Sequence, residues 1–354
     1  MNEKERLEKV ANKIVGWYPK EARTLPWRED KNPYHIWISE IMLQQTRIEA
    51  VKEYYMRFMK ELPTIADLAK IEEEKLLKLW EGLGYYNRAR NLKKAAIIMV
   101  TDYQGNMPSS YEKLVKLPGI GEYTAGAIAS IAFNERVTAV DGNVLRVMAR
   151  VLKNSSNILL PKTKKEMTEK LEAILPKEAG IFNEGIMELG ETICLPNGKP
   201  LCDKCPIAKL CIAHQEGIEE SLPIREKNNK RKVEQKTVFV FQKEDRIAIR
   251  KREEKGLLAS LYEFPSIEGH VLEKEIKEKI KKWNLEAESC LYLTKYRHVF
   301  SHKEWDMIAY HVVVKEKNKE FLWVTKIELQ EKYPLPSAFL PFQKELDKRE
   351  KEKR

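Results

Sequence analysis

The spacing of apolar positions changes partway along the chain. In the first half they recur at helical intervals. Ile48, Val51, Tyr55 and Phe58, separated by 3, 4 and 3 positions, make one stripe of a helix beginning near Ile38. Further helical patterns cover Ile71 to Trp80, Ala89 to Val100, Lys164 to Leu175 and Phe182 to Leu189, punctuated by Pro63, Gly82, Gly84, Pro108, Pro118, Pro161 and Pro176. Between them lie an Ala/Ile-rich helix from about Tyr123, a short extended piece from Val137 to Val140, and a helix opened by Asp141. Later, β-rich runs appear at Thr237 to Phe241, Arg246 to Arg250, Ser289 to Leu293 and Met307 to Val314, with one helical segment from Val271 to Trp283. This predicts two domains: an all-α domain over residues 1–218 and an α+β domain over 237–354. The stretch 219–236, EESLPIREKNNKRKVEQK, has almost nothing to bury and reads as a basic linker.

The 354 residues suffice for two separate cores, and 64 Lys+Arg against 54 Asp+Glu give a formal charge of +10, which favours a polyanionic partner. No apolar run reaches the roughly 18 residues needed to span a bilayer, and MNEKERLEKV lacks the apolar core of a secretory signal. The expectation is a cytoplasmic, nucleoid-associated monomer with no membrane partner. Four of the five cysteines fall between Cys194 and Cys211, as C-x7-C-x2-C-x5-C. In a reducing compartment that clustering points to a metal; one C-x2-C pair with two single cysteines is less like a zinc ribbon than like a [4Fe-4S] loop held by Cys194, Cys202, Cys205 and Cys211. Zinc and chance clustering are the alternatives.

The candidate chemistry centres on Leu117 to Asn143. Gly119 and Gly121 can shape a turn whose backbone N–H groups, with a following helix N-terminus, attract phosphate. The same turn also serves as a plain helix connector. Asp141 is a good N-cap, and an Asp accepting backbone N–H bonds has its charged form favoured. Glu40 has two readings. As a first-turn acid it would have a lowered pKa; enclosed by Trp37, Ile38, Ile41 and Met42 it would have a raised one.

LPGIG, its following helix and VDGN resemble the helix-hairpin-helix signature of the DNA glycosylases related to endonuclease III, and the chain resembles their adenine-specific branch over nearly its whole length. The resemblance implies an all-α helix-hairpin-helix glycosylase fold with a [4Fe-4S] loop, followed by a Nudix-like domain. It implies that Glu40 protonates the leaving adenine, that Asp141 supports the sugar cation, and that Asn143 orients these groups. Tyr123 stands where lyase-type relatives carry a Schiff-base lysine; a phenol forms no imine, so a monofunctional enzyme is implied. Arg23, Trp27, Arg28 and Glu184 match the residues of the flipped-adenine pocket. Gln44, Gln45 and Thr46 match the loop inserted into duplex DNA, and Leu83 and Tyr85 those wedged beside the opposite base. Phe300, Ser301 and His302 match the loop that recognises 8-oxoguanine. The implied partner is double-stranded DNA containing A:8-oxoguanine or A:G mispairs.

Two departures from the family pattern stand out. The usual cysteine spacing is C-x6-C-x2-C-x5-C, and this chain has one extra residue between Cys194 and Cys202. The segment after GLLASLYEFP, LEKEIKEKIKKWN, lacks the Arg-Glu and paired glutamates with which a Nudix hydrolase holds Mg²⁺, so recognition is expected of that domain. A glycosylase for another mismatch and a non-catalytic DNA-binding Fe-S scaffold are the rival readings.

Overall fold

The structure, a computed structural model, describes residues 1–226 and 231–352. In chain order its helices are α1 (Glu3–Glu21), α2 (Pro33–Leu43), α3 (Ile48–Glu61), α4 (Ile65–Lys70), α5 (Glu73–Leu79), α6 (Asn87–Asp102), α7 (Tyr111–Leu114), α8 (Glu122–Phe133), α9 (Gly142–Val151), α10 (Pro161–Ile174), α11 (Ala179–Thr192), α12 (Ile212–Glu216), α13 (Glu273–Lys279), α14 (Lys326–Glu331) and α15 (Leu340–Glu352). The strands are β1 (Lys232–Lys243), β2 (Arg246–Lys251), β3 (Tyr262–Glu263), β4 (Ser266–Glu268), β5 (Ala287–Val299), β6 (Lys303–Val314) and β7 (Leu322–Thr325). The chain divides into two compact units, one of Met1–Lys70 with Asn91–Lys227, the other of Ile71–Arg90 with Asn228–Arg354.

In the first unit, local chemistry sets the helix ends. Asn2 and Glu5 form a capping box on α1, Pro33 and Pro161 take first-turn positions in α2 and α10, and Asp141 caps α9. The single helix expected from Ile38 through Phe58 is instead two, because the chain turns between Leu43 and Ile48 with Gln45 in the left-handed region at φ 61°. The break moves Glu40 to the last full turn of α2, where the helix dipole disfavours an anion. Because α2 begins at Pro33 and not near Ile38, the first-turn reading of Glu40 is removed. One core joins Leu7 and Ile14 of α1, Met148 of α9, Leu171 of α10, and Phe182 and Ile186 of α11. Within it α8 comes very close to neighbouring backbone: a Cβ on Gly126 would collide with the Thr138 carbonyl.

Among the described residues, the piece from Val137 to Val140 has no strand partner. The buried amide of Asn183 takes that role, accepting from Ala139 N at 3.2 Å and donating to Val137 O at 2.9 Å and Ser130 Oγ at 2.8 Å. Asp141 thus emerges from a segment pinned on α8 and α11.

The second unit is built on a sheet ordered β3-β2-β1-β6-β5, with β4 paired to β1 and β7 to β2. β1 and β6 run parallel, from Lys232 beside Lys303 to Gln242 beside Val313; the other pairs are antiparallel. Alternation along β1 supplies both faces. Val238 and Val240 join a core with Phe339, Phe342 and Leu346, while Phe239 and Phe241 join another with Ile276, Ile280 and Trp283. A strand covered on both sides reads as an unbroken apolar run, hence TVFVF. β1 begins at Lys232, so 232–236 of the expected linker is strand; 227–230 of it lie outside the described residues. The sheet also meets Ile71–Arg90: Tyr262 Oη donates to Glu74 at 2.7 Å, and Leu335 N donates to Glu81 at 2.7 Å. Among the described residues, no helix is long and apolar enough to cross a membrane.

Candidate active site

In the first unit, α2, α8, α11 and the cap of α9 enclose a cavity of about 450 Å³ lined by Trp27, Arg28, Glu40, Tyr123, Asp141 and Asn143, among others. The two carboxylates, a hundred and one positions apart in sequence, therefore share one cleft. Tyr123 Oη donates to Glu40 Oε2 at 2.6 Å and lies 3.1 Å from Met187 Sδ. Burial pushes the Glu40 carboxyl up to about 7; the Tyr123 hydrogen bond opposes this, and the Asp141 charge adds to it.

Asp141 accepts from Val144 N at 2.8 Å and from Asn143 Nδ2 at 2.8 Å. These bonds were expected to hold its pKa down. Instead burial outweighs them and leaves Asp141 above the usual carboxylate range, with the Val144 and Asn143 bonds and Arg146 offsetting part of the rise. The surroundings of the two carboxyls still differ: Asp141 has the Val144 and Asn143 bonds and Arg146 favouring its anion, where Glu40 has Tyr123 and Arg28. Arg146 completes the frame, donating to Asn143 Oδ1 at 3.0 Å, Gly190 O at 2.7 Å and Cys194 O at 2.8 Å.

Of the expected pocket residues, Trp27 and Glu184 line the cavity, Arg28 joins them, and Arg23 stands behind. Arg23 binds Glu188 at 2.6 and 2.8 Å and Glu191 at 2.5 Å, and Arg28 binds Glu188 at 2.9 Å. Burial alone would raise Glu188, but Arg23 and Arg28 hold it below the usual range. Gln44 and Gln45 line the mouth, and Thr46 closes the turn through its N–H to Leu43 O at 3.2 Å. At the glycine turn Gly119 has φ +77°, and Gly121 caps α8. Ile120 N is already bonded to Leu117 O at 3.1 Å, so that amide of the turn is not free to hold an anion. A larger cavity of about 780 Å³ shares Tyr123 but includes neither Glu40 nor Asp141, so size does not mark the chemistry.

The four clustered cysteines line one small cavity with Val147, Leu189 and Ile207, and all are free thiols. Arg150 Nη1 donates to Cys194 Sγ at 3.1 Å and to Leu195 O at 3.0 Å, so the extra residue before Cys202 leaves Cys194 facing the other three. Burial pushes Cys202 up to about 11 and Cys205 up to about 12, protonation that thiolate coordination to iron would reverse. The soft donor set in an apolar wall fits an iron-sulfur cluster. His214 and Glu219, hydrogen-bonded at 2.5 Å, lie beside Cys202.

The second unit gathers the remaining candidates. Ser301 and His302 form the exposed tip between β5 and β6, closed by Phe300 N donating to Lys303 O at 2.8 Å. Tyr85, 49% exposed, places its hydroxyl 3.3 Å from Ser301 Oγ. Phe300 packs on Trp305 and Leu83 is 5% exposed, so neither side chain projects as Tyr85 does.

Sequence reasoning picked out Glu184 but passed over Met187, Glu188 and Glu191, although i, i+3, i+4, i+7 spacing marks them as one face of α11. Asn183, Arg146 and Arg150 carried no such signal; polar residues inside apolar helices were the only hint.

Two family models match: HhH-GPD superfamily base excision DNA repair protein over residues 38–177 and NUDIX domain over 237–345. The chain is similar to the adenine DNA glycosylase of Buchnera aphidicola subsp. Baizongia pistaciae, 37% identical over 82% of either chain. It is likewise similar to that of Rattus norvegicus, 34% identical over 82% of this chain and 67% of the other. Among solved structures, a thermostable thymine-DNA glycosylase matches 60% of this chain and 98% of its own at 31% identity and TM-score 0.54. Endonuclease III trapped on DNA in an estranged-adenine complex matches 62% and 100% at 26% identity and TM-score 0.52.

Proposed function

Because this chain belongs to the adenine DNA glycosylase family and is a DNA glycosylase, we propose that it removes adenine mispaired with 8-oxoguanine, or with guanine, from duplex DNA. One observation carries the assignment of roles: Glu40, hydrogen-bonded by Tyr123, shares a cleft with Asp141. The target nucleotide leaves the stack at a cost of roughly a few kcal/mol, least for a mispaired base. Glu40 gives its proton to a ring nitrogen of the adenine, and the C1′–N bond breaks with its electron pair leaving on the base. Asp141 faces the positive sugar, with Asn143 and Arg146 fixing its carboxylate. A water oxygen then bonds to C1′ and its proton passes to the carboxylate pair. Tyr123 has no amine, so the strand is left intact.

The tip Ser301–His302 and Tyr85 supply hydroxyl, imidazole and aromatic groups for the oxidised base opposite. Cys194, Cys202, Cys205 and Cys211 would hold a [4Fe-4S] cluster, whose contribution is structural. Anaerobic purification should yield about four iron and four sulfide per chain; a single zinc would refute the cluster.

Incubation with an A:8-oxoguanine duplex followed by hot alkali should break the strand at the adenine. E40Q and D141N should each lower single-turnover excision by at least about a thousandfold while lesion-duplex affinity stays within about threefold. Unchanged cleavage in either variant removes that role, and release of thymine from T:G in place of adenine removes the substrate.

A further inference from the structure

Glu191, one of the carboxylates that line the cleft, has no part in the mechanism above. Glu191 sits three residues after Glu188 on the cavity face of α11, and Arg23 Nη2 holds one of its oxygens at 2.5 Å. Among the described residues no other hydrogen bond reaches its carboxylate, although Glu191 lines the same cavity as Glu40, Asp141 and Asn143. Its neighbour fixes which end it occupies. A Cβ on Gly190 would come within 2.8 Å of Asn143 Cβ, and Gly190 O takes the Arg146 bond, so the backbone carrying Glu191 is pressed against the residue that holds Asp141.

We infer that Glu191, tethered by Arg23 in the cavity that Glu40 also lines, is a positioning residue for the proton on Glu40: its carboxylate adds a second negative charge, beside that of Asp141, which favours the neutral acid. The inference rests on Glu40 being the proton donor. Four groups face Glu40. Tyr123 of α8 and Arg28 of the turn Pro26–Arg28 favour its anion, whereas Asp141 at the α9 cap and Glu191 of α11 favour its neutral form. Burial raises the Glu191 carboxyl and the Glu188 charge adds to the rise, while the Arg23 bond and charge and the Arg28 charge oppose it, so the tether favours the charged form of Glu191. Because Arg23 also grips Glu188, Glu191→Gln leaves the guanidinium paired and the pocket wall standing.

The test compares single-turnover excision against pH for the full-length wild type, E191Q and E191D. In parallel, the Glu40 carboxyl is titrated without DNA by infrared difference spectroscopy, with E40Q as the blank. In E191Q the alkaline limb should move down by about half a unit, a loss of about threefold at pH 8, with the rate at pH 6 and the duplex affinity unchanged. E191D should restore most of the limb. An unmoved limb, or a loss equal at every pH, overturns the inference. If the wild type excises no adenine, the proposed function fails by itself, and the infrared titration still decides: a Glu40 midpoint equal in wild type and E191Q sinks the role of Glu191, and a lower one sustains it.

Discussion

At the scale of single residues, the site works by giving two carboxyls unequal surroundings. Excision should follow a bell-shaped pH profile: it falls as pH rises through about 7, where Glu40 loses its proton, and falls again in acid as Asp141 gains one. The same titration bears on folding. The folded-state value of Glu40 lies above its ordinary one, so its stabilising contribution is full in acid and lost as pH rises through about 7. E40Q should therefore be more stable than wild type at pH 8, by about 3 kcal/mol, and no more stable at pH 4.5, as chemical denaturation at the two pH values would show. Glu40 and Asp141 were recognisable in sequence through their motifs. The sense of the Asp141 shift was not, because a cap is visible in DGN while the burial that outweighs it comes from α2 and α11, far away in the chain.

At the scale of elements, Asp141 is placed by a brace between helices. Asn183 of α11 bonds the Val137 carbonyl and the Ala139 N–H along one edge of the Val137–Val140 segment, and Gly126 lets α8 lie against that segment. Replacing Asn183 by Ala strands a buried N–H and a buried carbonyl, which should cost about 2–3 kcal/mol of stability. Excision should slow with little change in duplex affinity, because the groups at the α8 N-terminus stay put; thermal melts and single-turnover rates check both. Helical periodicity gave most of the long helices of the first unit, and β-rich runs gave the main strands of the second. It did not give α1, whose charged surface hides its apolar stripe, nor the break after Leu43, which no proline or glycine marks. The short strands β3, β4 and β7 lack the length for alternation to register.

At the scale of the whole molecule, the proposed function draws on separate sets of residues for chemistry and for base recognition, which makes them separable by mutation. Ser301→Ala should reduce the preference for 8-oxoguanine over guanine by about fivefold, the worth of one hydrogen bond, while leaving the rate on A:G mispairs unchanged. Paired single-turnover measurements on the two duplexes test this. The division was only partly legible: the change of period marked the later unit, but nothing in Ile71–Arg90 shows that its helix and turn pack with residues far downstream. That discontinuity has a consequence for biosynthesis. The ribosome releases Glu74 and Glu81 early, yet their partners Tyr262 and Leu335 follow 188 and 254 residues later. Similarly, β1 must wait for β6, its parallel neighbour, before the middle of the sheet exists. A translation product halted before Lys303 would carry a folded repair domain together with two unsatisfied segments, Ile71–Arg90 and an apolar β1, and so would be a natural client for chaperones and proteases.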